Sequence, residues 1–338
     1  MSKSKYTSIG GQALIEGVMM KGPEETAISV RNSEGVIITE TEPTKTPKDA
    51  CKILGWPIIR GVANMVANMI EGVRYLYKSI ELSGMEDEIE EPQTKFEKWL
   101  DRVFGEKIYS AVMALGTVLG VVLSVGLFIL LPMYLVRWLE DGMTALGWIE
   151  AGGLGLWKNL LEGLIKIGVF VAYLASVSSM KEMRRVFEYH GAEHKSIACF
   201  EAGELLTPEN AKKYRRFHPR CGTSFLFVVL VISILISCLI QWDLMWLRFT
   251  CKILLLPLTM GIGYEFIRFT GKYDNKLTRL LVQPGLLMQR LTTKEPDESQ
   301  LEVAIASLIA ALPEEERSKY SCDTNLEEVA EASDCPSC

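Results

Sequence analysis

Long apolar segments dominate the middle of the chain. Residues 110–135 contain no charged side chain, and a helix of that length can cross about 30 Å of hydrocarbon. A second apolar segment at 164–180 has Lys166 near one end, where a long side chain can reach the membrane interface. Two more apolar segments follow at 223–240 and about 249–267. This pattern predicts a mainly α-helical polytopic membrane protein with about four transmembrane helices.

Polar positions before the first apolar segment predict a small folded element. Two β-prone runs, Ala27–Arg31 and Val36–Thr41, flank the turn-forming residues 32–35 and predict a β-hairpin. After Pro57, apolar residues recur with the three-and-four spacing of an amphipathic helix. The residues of this stripe are Ile58, Val62, Met65, Met69, Val73, Leu76 and Ile80. Such a helix needs a surface on which to bury its apolar side.

These patterns divide the chain into five segments. We predict an N-terminal cytoplasmic hairpin-plus-helix element, an acidic linker with an interfacial helix, a four-span membrane domain, a cytoplasmic helix region and an acidic disordered tail. Their respective ranges are 1–83, 84–107, 108–280, 281–312 and 313–338. The tail ends in Cys335-Pro336-Ser337-Cys338, and we assign no role to this terminal pair.

Charge sets the expected orientation. The segment 181–222 is rich in lysine and arginine, whereas 138–163 has only Lys158. Because cytoplasmic loops carry the excess of these residues, 181–222 is expected in the cytoplasm, with both termini on the same side of a bacterial cytoplasmic membrane. The formal net charge of −6 argues against DNA binding. The basic loop could also contact lipid headgroups or the ribosome, but its topological role already explains its charge.

All three histidines fall within this basic loop, and two of them form a motif. His190-Gly191-Ala192-Glu193-His194 has the order H-x-x-E-H, which on a helix places both imidazoles and the carboxylate on one face. Two such histidines can hold Zn²⁺ or another transition metal, with Glu193 as general base. Isolated pairs with this spacing also occur as interfacial histidines without a metal.

A third protein ligand is expected from His218-Pro219-Arg220-Cys221, which supplies an imidazole and a thiol just before the third apolar segment. If His190, His194, His218 and Cys221 all coordinate, the site is closed and structural. If three of them coordinate, an open position makes the site catalytic. The spacing does not choose between these arrangements.

Other polar residues are candidates for contact with a substrate or partner. Arg220 lies inside the motif loop, and Glu265 and Arg268 lie one turn apart at the end of the fourth apolar segment. An interfacial ion pair between Glu265 and Arg268 is the simpler expectation. Glu16, in a glycine-rich segment, could enter a polar cavity or could be a solvated turn residue.

Four sequence motifs occur in order along the chain: GGQALIEGVMMKGP, YHGAEHK, HPRCGTSF and QPGLLMQRLTTKEPD. Over about residues 8–312 the chain resembles the YqhQ-like family of bacterial membrane proteins. That family is a domain of unknown function, commonly described as a predicted metal-dependent enzyme. The resemblance therefore implies metal chemistry on His190, Glu193, His194, His218 and Cys221.

Two functional hypotheses follow from these observations. The first is a metal-dependent, zinc-binding membrane enzyme, most plausibly a hydrolase, whose site lies at the cytoplasmic face and in which Arg220 or Arg268 holds a substrate anion. The alternative is a non-enzymatic assembly factor or chaperone for membrane proteins, based on the amphipathic helix and the basic loop. A transporter has less support because the sequence has no internal repeat. The expected partners are membrane lipid and either a membrane-protein complex or a second copy of the chain.

Overall fold

The computed structural model describes residues 9–84, 106–150, 153–219, 221–239, 244–273 and 275–321. Within these ranges the protein is mainly helical, with a four-stranded antiparallel sheet near the N-terminus. The strands are β1 (Gly10–Leu14), β2 (Gly17–Lys21), β3 (Glu25–Arg31) and β4 (Ile37–Pro43), paired in sequence order.

The helices fall into a group before the membrane segments, a central group and a C-terminal group. In chain order they are α1 (Pro47–Ala50), α2 (Ile59–Ser83), α3 (Glu106–Val125), α4 (Leu131–Ala145), α5 (Leu156–Ser178), α6 (Lys181–Ala202), α7 (Pro208–Lys212), α8 (Gly222–Ser237), α9 (Met245–Leu254), α10 (Leu256–Lys272), α11 (Lys276–Thr292), α12 (Glu298–Ala311) and α13 (Glu314–Ser321).

The predicted hairpin is the β3–β4 pair, in which the Asn32 side chain accepts hydrogen bonds from the backbone of Glu34 and Val36. The expectation of a hairpin alone was wrong, because β1 and β2 extend it to a four-stranded meander. Most of β2 is buried on both faces, so this strand lacks the alternation of polar and apolar residues that marks a half-exposed strand. Glycines in β1 and β2 weaken the signal further.

Helices cover both faces of this sheet. Tyr75 of α2 packs on one face against Leu14 and Ile28. On the other face, Val18 and Met20 belong to a core shared with α6 and α12, to which Tyr189, Ala192, Ile197, Leu301 and Leu308 contribute. The N-terminal sheet and the region around α12 therefore form one three-layer unit, although about 260 residues separate them in sequence.

Two helical segments are long and apolar enough to cross a membrane: Leu115–Ala145 and Trp157–Ser178. A third candidate is the pair formed by α9 and α10, which is bent by 44° at the break between them. Pro257 lies in the first turn of α10, where it cannot donate a backbone hydrogen bond to the preceding helix. The fourth apolar helix, α8, is shorter, with 16 residues. The described residues thus contain two to three candidate spans rather than the four expected.

Two further expectations concern the linker and the tail. The predicted interfacial helix in 84–107 and the Cys335–Cys338 pair lie outside the described residues. Residues 314–321 form α13, so the chain is helical where the tail was predicted to begin as disordered. Glutamates in the first turn of α13 favour this helix because their negative charges lie at the positive end of the helix dipole.

Candidate metal centre

The H-x-x-E-H motif lies in the middle of α6, on the side that faces the rest of the protein. His194 and Glu193 are buried, with 2% and 5% of their surface exposed, and His190 is partly buried. Cys221 is also buried and is the N-cap residue of α8. The two elements thus bring an imidazole pair and a thiol together across 26 residues of intervening chain.

Three of the predicted ligands converge. Each of the three residues offers one ligand atom, and these atoms of His190, His194 and Cys221 all lie within 4.8 Å of one another. The His190 Nε2 atom is 3.2 Å from the Cys221 sulfur. Ligand atoms around a tetrahedral zinc ion are about 3.3–3.8 Å apart, given the usual Zn–N and Zn–S bond lengths. The spacing therefore suits one metal ion after a small adjustment.

Backbone carbonyls orient both histidines. The Nδ1 atom of His190 lies 2.8 Å from the carbonyl oxygen of Thr292, and the Nδ1 atom of His194 lies 2.6 Å from that of Arg216. An Nδ1–H that donates to a carbonyl leaves the lone pair on Nε2. Both rings are thereby oriented so that Nε2 can bind a metal once it has lost its proton.

Gly191 explains how the Thr292 carbonyl reaches His190. A Cβ atom on Gly191 would lie 2.0 Å from the carbonyl oxygen of Lys294, so any larger residue would push this segment away from α6. The backbone N–H of Lys294 donates to the carbonyl of Phe187 at 2.8 Å. Glu295 adds a second attachment by pairing with Lys195 of α6 and with Arg216.

His218 lies beside the cluster but outside the group of three. Its ring centre is 5.7 Å from that of His194, and its Nε2 atom faces Glu201 at 3.5 Å. The fully buried Gln289 fixes the backbone here, because its side chain accepts from the N–H of His218 and donates to the His218 carbonyl at 2.9 and 2.7 Å. Whether His218 coordinates a metal therefore depends on a rotation of its side chain.

Glu193 is the second polar group that borders the cluster. Its Oε2 atom is buried and has no hydrogen-bond partner among the described residues, and the buried His218 Nε2 atom makes no hydrogen bond there beyond its 3.5 Å ionic contact with Glu201. The Glu193 side chain lies over β1, where a Cβ atom on Gly11 would be 2.9 Å from it. Buried polar atoms are rarely left without a partner. These two atoms and the donor set of two imidazoles and a thiol fit a metal ion and its associated water.

The electrostatics of the cluster follow from burial and from the short contact between His190 and Cys221. Burial raises the pKa of Glu193. Burial alone would lower the pKa of His190, but the Cys221 sulfur overcomes it and raises this pKa to about 9. For Cys221, burial would raise the pKa, but His190 and His194 lower it well below its usual value. A thiolate is the form of cysteine that binds metals.

Glu16 has a structural role that the sequence did not reveal. It occupies the tight turn between β1 and β2 with a φ of 50°, and both of its carboxylate oxygens pair with Arg185. The Tyr189 hydroxyl donates to the same carboxylate at 3.2 Å. Because Arg185 and Tyr189 are on α6, Glu16 fixes the helix just before His190.

The remaining predicted contact residues lie elsewhere. Glu265 pairs with Arg60 of α2 through two hydrogen bonds of 2.6 and 2.5 Å, so the expected ion pair with Arg268 was wrong. Arg268 is exposed on α10, and Arg220 lies outside the described residues. In the part of the chain that the structure describes, no hydrogen bond or ion pair joins Glu265 to the histidine cluster.

Comparison with known proteins identifies a family, but the family's description names no activity. Residues 56–314 match the family described as "Protein of unknown function (DUF1385)". The chain is similar to "Uncharacterized protein YqhQ" of Bacillus subtilis (strain 168), with 32% identity over 309 residues that cover 91% of this chain and 93% of the relative. No solved structure matches the chain.

Proposed function

Because the chain belongs to the YqhQ-like DUF1385 family, whose description gives no activity, we propose a function from the chemistry of the cluster itself. We propose that the protein is a metal-dependent, zinc-binding membrane enzyme that catalyses a hydrolysis at the cytoplasmic face of the bacterial membrane. The observation that supports this most is the convergence of His190, His194 and Cys221 beside a buried, unpartnered carboxylate.

In this proposal His190, His194 and Cys221 would hold the ion, and three protein ligands are the number that catalytic zinc sites commonly supply. Zinc in such a site supplies Lewis-acid activation of water or of a substrate carbonyl or phosphoryl group. The Oε2 atom of Glu193 takes the proton from the attacking water. The Thr292 and Arg216 carbonyls hold the two imidazoles in place. If His218 turned inward as a fourth ligand, the site would be closed and structural.

Metal content tests the proposal directly. The full chain is purified without an affinity His-tag, and its transition metals are measured beside those of His194→Ala, Glu193→Gln and Cys238→Ser. We expect about one zinc per chain in the parent, in Glu193→Gln and in Cys238→Ser, whose thiol lies outside the cluster. His194→Ala should lose it. A parent that contains no metal and takes up none when metal is added would contradict the proposal.

Glu193→Gln separates an enzyme from a structural metal site. A panel of ester, peptide and phosphodiester substrates, including phospholipids, is presented to the zinc-loaded parent and to this variant. Loss of a general base typically lowers the rate by about 10²–10⁴-fold. We therefore expect activity in the parent and a loss of that size in the variant, with zinc retained. Equal activity in both would exclude Glu193 as the base.

The proposed location requires four crossings, with both termini in the cytoplasm. In this topology α8 and the bent α9–α10 pair cross the membrane in addition to the two longer candidates. The lysines and arginines of 181–222 favour the cytoplasm for this segment. The histidine cluster then lies at the cytoplasmic end of α8, where a substrate that is itself a membrane component could reach it.

A non-enzymatic assembly factor is the second candidate. It is favoured by the exposed apolar side of α2, where Met69, Ile70 and Val73 are 63%, 65% and 54% exposed. Such a surface can dock a partner protein. In this case Glu193→Gln would not affect function, whereas charged substitutions on α2 would release a co-purifying membrane-protein complex.

A further inference from the structure

A second cluster of charged side chains lies between two of the membrane helices, α5 and α9. Asn159 and Glu162 of α5 and Arg248 of α9 are buried, with at most 5% of their surface exposed. Ionisable residues inside membrane segments are costly and commonly mark a functional site. Neither the metal proposal nor the family description accounts for this cluster.

The contacts within the cluster involve both carboxylate oxygens of Glu162. One terminal nitrogen of Arg248 donates to Asn159 Oδ1 at 2.7 Å and to Glu162 Oε1 at 2.6 Å. Lys252, one turn further along α9, pairs with the other carboxylate oxygen of Glu162. Two cations therefore share one anion.

A third cation joins this cluster. Lys166 lies one turn after Glu162 on α5, so the two residues share one side of that helix. In the described residues Lys166 has no hydrogen-bond partner. Lys158 lies one turn before Glu162. It adds no unpaired positive charge to the cluster, because it pairs with the buried Glu140 at 2.6 Å. Among the described residues, two positive charges of the cluster are left without a counter-charge.

The depth of the cluster indicates which anion could supply that charge. Trp157 and Trp246 are 66% and 76% exposed at the beginnings of α5 and α9. Tryptophan is enriched at the membrane–water interface, where the phosphates of lipid headgroups lie. Glu162 and Arg248 lie within about two turns of these tryptophans.

We propose that Lys166, Arg248 and Lys252 form a binding site for a phosphate group, and that an anionic phospholipid carries it. Arg248 uses one terminal nitrogen in its described contacts, so the rest of its guanidinium can donate to phosphate oxygens. The phosphate supplies the missing negative charge, and the acyl chains pack on the apolar sides of the helices. This site is independent of the metal centre, but it requires α5 and α9 to lie in the membrane.

Thermal unfolding of the full chain tests the site. Delipidated protein in a neutral detergent is titrated with phosphatidylglycerol, phosphatidylcholine or sodium phosphate at constant ionic strength. Three variants are compared with the parent: Lys166→Gln, Lys166→Arg, and Arg137→Gln as a matched control, because Arg137 is an exposed cation paired with Asp141 on α4. We expect phosphatidylglycerol to raise the unfolding temperature of the parent, of Arg137→Gln and of Lys166→Arg. The affinity of Lys166→Gln for this lipid should be about tenfold weaker.

The response without lipid separates this proposal from a purely structural ion network. Lys166→Gln removes an uncompensated charge, so in chloride alone it should unfold at the same temperature as the parent or at a higher one. A lower temperature would show that Lys166 stabilises the protein without a ligand and would overturn the proposal. The proposal also fails if phosphatidylglycerol stabilises the parent and Lys166→Gln equally, or stabilises neither. A full response to sodium phosphate would retain the phosphate site but reject the lipid as its source.

Discussion

Gly11 shows how a residue without chemistry of its own can shape the candidate metal centre. The Glu193 side chain lies directly against it, so an added methyl group would meet both that side chain and the carbonyl oxygen of Met19. We expect Gly11→Ala to lower the free energy of unfolding by about 1–3 kcal/mol through overpacking. Chemical denaturation of the two variants Gly11→Ala and Gly10→Ala measures this cost.

Gly10→Ala is the matched control, because an added Cβ atom there has no neighbour within 4 Å. It should therefore unfold like the parent. If Gly11→Ala were as stable as Gly10→Ala, Glu193 would not be confined between α6 and β1. Zinc content should survive in both variants, because neither glycine supplies a ligand.

The metal ligands could be proposed from residue type and spacing, but the atoms that orient them could not. His190 and His194 are visible as a motif because both lie on one helix. The carbonyl oxygens of Thr292 and Arg216 belong to the backbone, so they have no residue signature. Gln289 is buried and lies in the QPGLLMQR motif, but the sequence does not distinguish it from exposed polar residues of the same amphipathic helix, such as Gln283. Contacts of this kind become visible only when distant elements are brought together.

At the level of elements, α2 presents its apolar stripe outward. Its opposite side is held to the sheet through Lys21–Glu71 and Arg74–Glu42 ion pairs, and its N-terminal end packs against α10 at Gly61 and Gly261. Because α10 belongs to a candidate span, we expect the apolar side of α2 to lie on the membrane surface. A photoreactive amino acid at Met69 should therefore form adducts with lipid in intact membranes.

Asn68 provides the control for this cross-linking experiment, since it is exposed on α2 but lies outside the apolar stripe. The same photoreactive group at Asn68 should give little lipid adduct. A protein adduct at Met69 would instead support the assembly-factor hypothesis. Absence of lipid adducts at both positions would contradict the interfacial location of α2.

The elements also show where hydropathy is informative and where it fails. The stripe of α2 was visible in the sequence because the helix has one polar and one apolar side. The β3–β4 hairpin was visible from the turn-forming residues between its strands. β1 and β2 were not visible, because both contain glycine and β2 is buried on both faces. The bend between α9 and α10 arises near Pro257, but an apolar run of suitable length predicts a straight helix. Burial on two faces and breaks inside an apolar run both remove the periodic signal on which prediction depends.

The whole molecule combines a three-layer unit with candidate membrane helices, and the histidine cluster lies where they meet. α6 contributes two candidate ligands from the three-layer unit, and Cys221 contributes the third from the beginning of α8. Movement between the two parts would change the distance between the Cys221 sulfur and the histidines. Metal binding should therefore stabilise the junction as well as the site.

The number of crossings decides on which side of the membrane residue 244 and the C-terminal helices lie, and reporter fusions can count them. Alkaline phosphatase is active only outside the cytoplasmic membrane, whereas green fluorescent protein exported in unfolded form does not fluoresce. With four crossings, a fusion after residue 150 or after residue 244 should be phosphatase-active, and a fusion after residue 203 or 321 should be fluorescent.

Two crossings would give the same result at every position except 244, because α8 and the α9–α10 pair would then remain on the cytoplasmic side. Three crossings would instead place residue 321 outside. Fluorescence after residue 244 would therefore reject four crossings. Fluorescence after both 244 and 321 would place α9 and α10 on the cytoplasmic side and would contradict the phosphate site proposed between α5 and α9.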